Sequence, residues 1–382
     1  MNKQLLRLVQ LGEKKPRLII GLMSGTSLDG LDIAVCSCQN EALEVLHFKT
    51  QEYGRVLRAR LRSIQSKKEV SLPEVCRLNT ELAHLYADWI LEALKEWKIS
   101  PAQIDLIASH GQTIYHAPEH AQISTLQIVD GDHIAQKTGI ITISDFRQKH
   151  TAAGGQGAPI AELMDQRLFR HHATHRVLLN LGGIANFTWL PSKESGKEII
   201  SSDSGPANTL INEAMAKHFG AAFDEGGKVA ASGVVHPELL KNLLNDDYFA
   251  KPFPKSTGQE DFNLQQVETL IADLSLPISR EDLVATLTEF TVQSVALALQ
   301  SVTEGLLFDM YVTGGGIHNA VIINRLQEVL TKASVKPFEE FGIHPDAKEA
   351  ALMAFLANEM LLGNTFDVHG KRVSLGKVSL PN

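Results

Sequence analysis

The sequence predicts an α/β protein with two similar lobes. An apolar strand, a glycine-rich loop and two further strands follow one another near residue 20, and the same pattern returns near residue 180. A chain of 382 residues is also longer than a single hydrophobic core usually supports. Strand and helix patterns alternate along the chain, which favours sheets covered by helices. We therefore expect a repeated α/β unit with a phosphate-type loop in each copy and a central cleft.

The first lobe is expected over residues 17–142. In the segment 73–97, apolar residues recur at steps of three and four, which predicts a helix with one buried stripe. The predicted elements are strands 18–22, 33–38 and 43–48, helices 56–64 and 73–97, strands 104–109 and 125–128, helix 130–138 and strand 140–144.

The second lobe is expected over residues 143–345, and the helix 346–362 is expected to pack back on the first lobe. No low-complexity linker separates the lobes, so this boundary is inferred from the repeat. The predicted elements are strands 177–181, 187–190 and 199–202, helices 210–219, 260–274 and 279–305, strand 309–312 and helix 319–330.

Composition excludes several classes of function. The net charge of −8 argues against a surface for nucleic acid or for an anionic membrane. No uninterrupted apolar run approaches the roughly 20 residues that span a bilayer. Cys36, Cys38 and Cys76 lack metal-ligand spacing and indicate a reducing, cytoplasmic setting.

The loop after the first strand is the first candidate site. Glycine, serine and threonine there turn backbone N–H groups and hydroxyls toward one point, as in phosphate-binding loops. An ordinary hairpin turn explains glycine and serine equally well, but the two aspartates and the hydroxyl cluster favour a nucleotide site. The candidate residues are Ser24, Gly25, Thr26, Ser27, Leu28, Asp29, Gly30, Leu31 and Asp32.

Two further glycine-rich loops follow strands in the second lobe. Ligands of open α/β sheets gather at the carboxyl ends of strands, although a simple turn explains each loop taken alone. The sequence contains no G-x-x-x-x-G-K-[ST] motif, so it is not a P-loop enzyme. The candidate residues are Gly182, Gly183 and Asn186, and then Gly314, Gly315, Gly316 and Asn319.

Asp203 follows the third strand of the second repeat and is expected at the inner end of a central strand. One alternative is that it caps the helix that follows Pro206. Phosphoryl transfer, however, requires a carboxylate that orients or deprotonates the attacking group. Gln112, which follows His110, offers hydrogen bonds suited to sugar hydroxyls, and Arg147 can bind a carboxylate or phosphate. His110 by itself is more often a structural histidine.

Several ordered motifs resemble those of the anhydro-N-acetylmuramic acid kinases. The similarity runs from residue 21 to about residue 355. It begins with Gly-Leu-Met-Ser-Gly-Thr-Ser-Leu-Asp-Gly-Leu-Asp at 21–32. The other motifs lie at 110–113, 145–159, 179–186, 203–206, 255–258 with 262–263, and 313–316 with Asn319.

The resemblance implies two actin/Hsp70/hexokinase-like lobes, each a copy of the ribonuclease H-like motif, in a cytoplasmic homodimer. It implies that ATP and Mg²⁺ bind in the cleft beside a 1,6-anhydro amino sugar. Water would open the anhydro ring while O6 receives the γ-phosphoryl group, giving N-acetylmuramic acid 6-phosphate in peptidoglycan recycling.

The resemblance also implies residue roles. Asp203 matches the catalytic base and residues 24–32 match the ATP-binding segment. No side chain is expected to bind the metal directly; Mg²⁺ would arrive with ATP and lie near Asp29. The positions expected to contact the sugar are Gln112, Arg147, His150, Gly205 and Glu349.

The chain departs from the family pattern at four positions. Ser204 replaces threonine, and Ala207 replaces glycine, which requires a negative φ there. His150 replaces a frequent aspartate, and Gln259 replaces a common arginine. A kinase of another anhydro sugar, such as levoglucosan, is therefore one alternative. An ATP-driven conformational protein in the manner of actin or Hsp70 is another.

Overall fold

The computed structural model describes residues 2–40, 42–118, 120–158, 160–258, 261–275 and 277–382. The chain forms two compact units. The first contains the residues up to Leu168 together with Phe341–Asn382, and the second contains Phe169–Glu340. Pro159, Gln259 and Glu260, which belong to segments singled out in the sequence, lie outside the described residues.

The strands, in chain order, are β1 (Arg17–Ser24), β2 (Gly30–Gln39), β3 (Ala42–Glu52), β4 (Leu106–Ala117), β5 (Ser124–Ile128), β6 (Thr142–Ser144), β7 (Arg176–Leu181), β8 (Ile184–Leu190), β9 (Ile200–Pro206), β10 (Phe308–Thr313), β11 (Ala333–Lys336), β12 (Phe366–Val368), β13 (Lys371–Val373) and β14 (Lys377–Ser379).

The helices, in chain order, are α1 (Lys3–Glu13), α2 (Arg55–Ile64), α3 (Leu72–Glu96), α4 (Gly131–Thr138), α5 (Phe146–Ala152), α6 (Ala161–Met164), α7 (Asn208–Phe219), α8 (Lys228–Ser232), α9 (Pro237–Leu244), α10 (Asp247–Ala250), α11 (Leu264–Asp273), α12 (Arg280–Thr303), α13 (Ala320–Val329) and α14 (Lys348–Leu361).

The two main sheets share one strand plan, which confirms the predicted α/β repeat. In the first unit the order is β14-β6-β4-β1-β2-β3, with β5 paired to β4; in the second it is β11-β10-β7-β8-β9. In each sheet the first three strands form an antiparallel meander. The first strand of each meander pairs on its other side with a parallel strand, β4 in one sheet and β10 in the other.

The first unit extends further along the chain than the expected first lobe, which ended at residue 142. Strand β6 joins the first sheet by pairing in parallel with β4 and antiparallel with β14. These pairings tie the segment after residue 142 to the first sheet, and the compact unit continues to Leu168. The strand β14 lies more than 200 residues away from β6 in sequence, so local patterns do not reveal this partner.

Helix α14 packs against β1 in the first unit. The sequence analysis expected the helix 346–362 to pack on the first lobe. A Cβ atom on Gly21 of β1 would stand 1.8 Å from the carbonyl oxygen of Ala350, so only glycine allows this close approach. Arg17, which is fully buried, donates from Nη1 to Asn358 Oδ1 at 2.8 Å and from Nε to Leu11 O at 2.6 Å. The first strand therefore has its partners at both ends of the chain.

Helix α12 forms the centre of the second unit. By length and composition it is the one helix within the described ranges that could cross a membrane, but 83% of its apolar window is buried inside the unit. Leu287, Phe290 and Val295 are completely buried in the core. The burial of these side chains on several faces identifies α12 as a core helix.

Candidate active site

The loop between β1 and β2 is a five-residue hairpin connection, and a network of hydrogen-bonded polar side chains lies beneath it. Ser24 Oγ lies 2.7 Å from Gln112 Oε1 and 2.8 Å from the Tyr53 hydroxyl, which in turn contacts the Tyr86 hydroxyl. Gln112 Nε2 donates to the carbonyl oxygen of Gly25 at 3.1 Å. The four side chains are buried, so the network fixes the start of the loop from beneath.

Gln112 is completely buried, and the loop takes up both ends of its amide. This placement differs from the direct sugar contact that the family resemblance implies for Gln112. Sequence alone could not show it, because Ser24 and Gln112 meet only when β1 pairs with β4.

The upper part of the loop exposes the side chains that a phosphate would meet. Thr26, Ser27 and Asp29 are exposed, whereas Leu28 is buried in the core with a φ of 60°. Burial of Leu28 anchors the loop from its apolar side, and its left-handed backbone turns the chain sharply. Gly30 begins β2 where a Cβ atom would stand 2.4 Å from Gln51 O, so β3 requires glycine there. Leu31 is buried beside it.

Asp32 lies on β2, just after the loop, and its pKa is raised. Burial raises the pKa of Asp32 to about 6, helped by the negative charges of Glu349, Asp346 and Asp29, while a hydrogen bond from Thr50 lowers it. Thr50 Oγ1 donates to Asp32 Oδ1 at 2.6 Å. Glu349 itself is exposed on the first turn of α14. These carboxylates repel one another, and a bound cation would relieve that repulsion.

Arg147 is held by a neutral histidine. Its Nε donates to His110 Nε2 at 2.8 Å, and His110 Nδ1 lies 3.0 Å from the carbonyl oxygen of Gly111. A carbonyl only accepts, so the proton of His110 is on Nδ1. Burial and the Arg147 charge lower the pKa of His110 to about 3. The histidine that the sequence left as structural therefore orients the guanidinium that the sequence proposed as a ligand.

His150 organises the glycine-rich segment that follows α5. Its Nδ1 accepts from Gly157 N at 2.9 Å, and a Cβ atom on Gly155 would stand 2.3 Å from its Cε1. Burial lowers the pKa of His150, as do the charges of His369 and Arg147, so the ring is neutral at pH 7. Because Nδ1 accepts, the proton is on Nε2. His150 thus offers a donor where an aspartate would offer an acceptor.

In the second unit, the loop after β7 caps α7 with its own backbone. Gly183 O accepts from Ala207 N at 2.9 Å, and Gly182 O accepts from Asn208 N at 3.0 Å. Asn186 is exposed on β8, opposite Asp203. The two carbonyls satisfy N–H groups at the start of α7, so this loop positions the helix.

The loop after β10 approaches β7 closely and then starts α13. A Cβ atom on Gly314 would stand 2.7 Å from Asn180 Oδ1, and one on Gly316 would stand 2.5 Å from Leu181 Cβ. Gly315 is exposed between them. Asn319 Oδ1 accepts from two backbone N–H groups at the start of α13, so Asn319 is its N-cap.

The sequence analysis missed a neighbouring glycine pair. Gly226 and Gly227 have φ values of 70° and 76°, and a Cβ atom on Gly227 would stand 2.3 Å from Asn319 Oδ1. Asp224 fixes this turn by accepting from Val229 N and Ala230 N at 2.8 and 2.9 Å. Two adjacent glycines after an aspartate were the available signal, but no apolar strand precedes them.

Asp203 lies within β9 and is half-buried. β9 is the edge strand of its sheet and not the central strand that was expected. Helix α7 starts at Asn208 after Ala207, so Asp203 is not its cap and that alternative is excluded. Thr257 N donates to Asp203 Oδ2 at 2.9 Å. Burial raises the pKa of Asp203, and the Thr257 bond lowers it. The net rise suits a general base.

The backbone around Asp203 explains two of its neighbours. Gly205 has a φ of 146°, and a Cβ atom there would stand 3.1 Å from Ser294 Cβ. Gly205 is buried and offers no side chain to a ligand. Ala207 has a φ of −115°, which meets the requirement that the sequence placed on it.

No group of three His, Cys, Asp or Glu side chains within the described ranges is arranged to hold a metal ion. The carboxylates around Asp32 are therefore suited to a cation that brings most of its own ligands, such as Mg²⁺ carried by a triphosphate.

Comparisons with known proteins are consistent along the whole chain. A family model described as anhydro-N-acetylmuramic acid kinase matches residues 17–379. The chain is 40% identical to the "Anhydro-N-acetylmuramic acid kinase" of Pseudoalteromonas atlantica, with 100% of both chains covered. It is 36% identical to the protein of that name from Caldanaerobacter subterraneus, with 98% of this chain and 100% of that protein covered.

Among solved structures, the chain is similar to the activator of the 2-hydroxyisocaproyl-CoA dehydratase from Clostridium difficile with bound ADPNP. The identity is 12%, the TM-score is 0.42, and the alignment covers 90% of this chain and 95% of that one.

Proposed function

We propose, because the chain belongs to the anhydro-N-acetylmuramic acid kinase family, that it converts anhydro-N-acetylmuramic acid, ATP and water to N-acetylmuramic acid 6-phosphate and ADP. A water oxygen bonds to C1 as the C1–O6 bond breaks. O6 bonds to the γ-phosphorus as the bond to the ADP oxygen breaks, and one proton of the water is released. The observation that carries this proposal is the match over residues 17–379, which includes every candidate site residue.

Asp203 is the proposed base that accepts the proton of the attacking water. Its partial burial raises its pKa above the ordinary aspartate value of 3.8, which brings the carboxylate closer to the pKa that general-base catalysis at neutral pH favours. The amide of Thr257 occupies Oδ2. The other oxygen, Oδ1, is the proposed proton acceptor.

The β1–β2 loop is the proposed phosphate-binding segment. Thr26 and Ser27 offer exposed hydroxyls, and the buried Ser24–Gln112 pair keeps the loop in shape. Asp29 and Asp32 would hold waters of a nucleotide-bound Mg²⁺. When bound, Mg²⁺ neutralises charge on the transferred phosphoryl group.

Arg147 and His150 are the proposed sugar-recognition residues. His110 holds Nε of Arg147, which leaves the Nη edge of the guanidinium for a carboxylate such as the lactyl group of a muramic acid. His150 Nε2 would donate to a sugar oxygen.

We further propose a cytoplasmic homodimer that acts in the recycling of peptidoglycan.

The reaction is tested by incubating the protein with MgATP and anhydro-N-acetylmuramic acid, and measuring ADP and the 6-phosphosugar by mass spectrometry. In ¹⁸O-labelled water, the product is expected to carry one ¹⁸O at C1. ATP without sugar is the control for simple hydrolysis. Absence of both products with a folded protein that binds ATP contradicts the proposal.

A kinase of another 1,6-anhydro sugar, such as levoglucosan, is the second candidate. The observation that favours it is the donor that His150 presents where the family frequently has an acceptor. The same assay with both sugars separates the candidates. A higher kcat/KM for levoglucosan would assign the second function.

A further inference from the structure

We propose that Lys255 is a positioning residue for Asp203. Its ammonium, held among three aromatic rings, fixes the segment 255–257 against β9, and this segment supplies the amide that orients the Asp203 carboxylate. The inference rests on the proposed role of Asp203 as base, and it extends that role to a side chain outside the site.

Lys255 lies in an aromatic cage formed by Tyr248, Phe249 and Phe253. Its Nζ lies 4.5 Å from the ring centroid of Tyr248, 4.7 Å from that of Phe253 and 5.8 Å from that of Phe249. The ammonium also donates to the carbonyl oxygens of Tyr248 at 3.0 Å and Phe249 at 3.2 Å. Lys255 is only 9% exposed.

A lysine is a costly choice for such a buried position. Removing an ammonium from water is unfavourable unless it is paired, and an apolar side chain would fill the same space without that cost. Cation–π contacts and the two carbonyl acceptors offset the desolvation of the ammonium, and they do so only in this conformation of the 248–255 loop. The ammonium therefore makes the fold of this loop specific, because it has favourable partners in one conformation.

The main chain of Lys255 forms hydrogen bonds with β9. Lys255 O accepts from Asp203 N at 3.0 Å, and Lys255 N donates to Ser202 Oγ at 2.9 Å. Two residues further on, Thr257 N donates to Asp203 Oδ2 at 2.9 Å. From the cage itself, the Tyr248 hydroxyl donates to Asp203 O at 3.0 Å. Lys255, Tyr248 and Thr257 thus hold Asp203 at its backbone N–H, its carbonyl and its carboxylate, respectively.

The mechanism acts through position and not through the lysine charge. Burial raises the pKa of Asp203 and the hydrogen bond from the Thr257 amide lowers it. The ammonium instead points to the loop carbonyls. With Oδ2 held by Thr257, rotation of the carboxylate is restricted and Oδ1 is kept in one place. A misplacement of about 1 Å can lower a rate about 100-fold.

The experiment compares Lys255→Met with Lys251→Met. Methionine keeps most of the apolar stem and removes the ammonium. Lys251 is the matched control, since its Nζ lies 5.6 Å from the same Tyr248 ring but the residue is exposed. We expect Lys255→Met to lower kcat about 10- to 100-fold with the KM for ATP within about twofold. Lys251→Met is expected to leave both constants unchanged.

Hydrogen–deuterium exchange gives a readout that needs no turnover. In the protein without ligands, the Thr257 amide is expected to exchange about tenfold or more faster in Lys255→Met and at the wild-type rate in Lys251→Met. Unchanged protection of Thr257 in Lys255→Met overturns the inference, as does a kcat within about twofold of wild type. If wild type forms no phosphosugar, the proposed function fails, while the exchange result still decides the role of Lys255.

Phe253→Leu keeps the test valid if Lys255→Met does not fold. This change removes one ring of the cage and leaves the lysine, so we expect a smaller loss of kcat, about three- to tenfold, and faster exchange at Thr257. Wild-type kcat and exchange in a folded Phe253→Leu protein overturn the inference.

Discussion

The two sheets follow the same strand plan but place their acidic residues on different strands. In the first sheet, Asp32 on β2 pairs with Thr50 on β3; in the second, Asn186 on β8 pairs with Asp203 on β9. The first sheet thus has its carboxylate on the middle strand of the meander, and the second sheet has one on the outer strand. One scaffold therefore supports an acidic group beside a phosphate-type loop in one copy and a candidate base in the other.

The loops differ in how they satisfy their polar groups. The β1–β2 loop is held by side chains of Ser24, Gln112 and Tyr53, whereas the β7–β8 loop is held by its own carbonyls at the start of α7. With this support from beneath, Thr26 and Ser27 are exposed at the tip of the first loop. In the second loop, the carbonyls of Gly182 and Gly183 accept from the start of α7, so loops at equal positions in the repeat are stabilised in different ways.

Removing the carboxylate of Asp203 is expected to have the largest effect. Asp203→Asn is expected to lower kcat about 10²- to 10⁴-fold with ATP affinity nearly unchanged, because the amide cannot accept the water proton. Steady-state kinetics and calorimetric ATP binding measure this. A folded Asp203→Asn protein with near-normal turnover would assign the base to another residue.

The second prediction concerns the orientation of the Arg147 guanidinium by His110 in the first unit. His110→Leu leaves Nε of Arg147 without its acceptor, and we expect the KM for the sugar to rise about 10- to 100-fold, as for loss of a hydrogen bond to a charged group. His110→Gln, which offers an acceptor at similar reach, is expected to lose less. An equal rise in the KM for ATP would show a general structural defect instead.

Asp32 provides a pH-dependent prediction. Its pKa of about 6 in the folded protein is above the ordinary value of 3.8, so the stability that protonated Asp32 contributes is present below pH 3.8 and is lost as pH rises through 6. Asp32→Asn is therefore expected to raise the free energy of unfolding by about 1–2 kcal/mol at pH 7.5, after allowance for solvent screening.

Denaturant titrations of Asp32→Asn at pH 4 and pH 7.5 measure this difference. Asp346→Asn, an exposed neighbour, is the control and should change stability less. The same stabilisation by Asp32→Asn at both pH values would contradict the assignment of the effect to ionisation.

Asn319 gives the smallest expected effect. Asn319→Ala removes the N-cap of α13 and is expected to lower the free energy of unfolding by about 1 kcal/mol, whereas Asn319→Asp keeps a cap. Thermal unfolding measures this. If Asn319→Asp retains stability and raises the KM for ATP, the side chain also contacts the nucleotide, in keeping with the sequence proposal. Equal stability of both variants would contradict the cap.

Local patterns predicted the elements of the fold better than the partners of its residues. The three-and-four spacing of α3 and the apolar runs of β1 and β7 depend on near neighbours, so the sequence revealed them. The pairing of β6 with β14 and the contact of His110 with Arg147 depend on chain distant in sequence. Periodicity carries no information on such contacts, which is why the boundary and the Arg147 support were missed.

The candidate site follows the same rule. Asp203 stood out because a carboxylate after an apolar strand is a short-range signal, but its edge position and its contacts with residues 248–257 depend on a loop some 50 residues away. Gly226 and Gly227 were missed because their importance comes from Asn319, which only the folded chain brings beside them.

The contact of α14 with β1 sets an order of events during synthesis. Residues 348–361 leave the ribosome after the whole of Phe169–Glu340, so the second unit is complete before the groove around Gly21 and Arg17 receives its helix. Until then, the nascent first unit exposes an apolar sheet face, and Nη1 of Arg17 lacks its Asn358 acceptor. A chaperone that shields such surfaces is expected to engage the ribosome-bound chain during this interval and to leave when α14 docks.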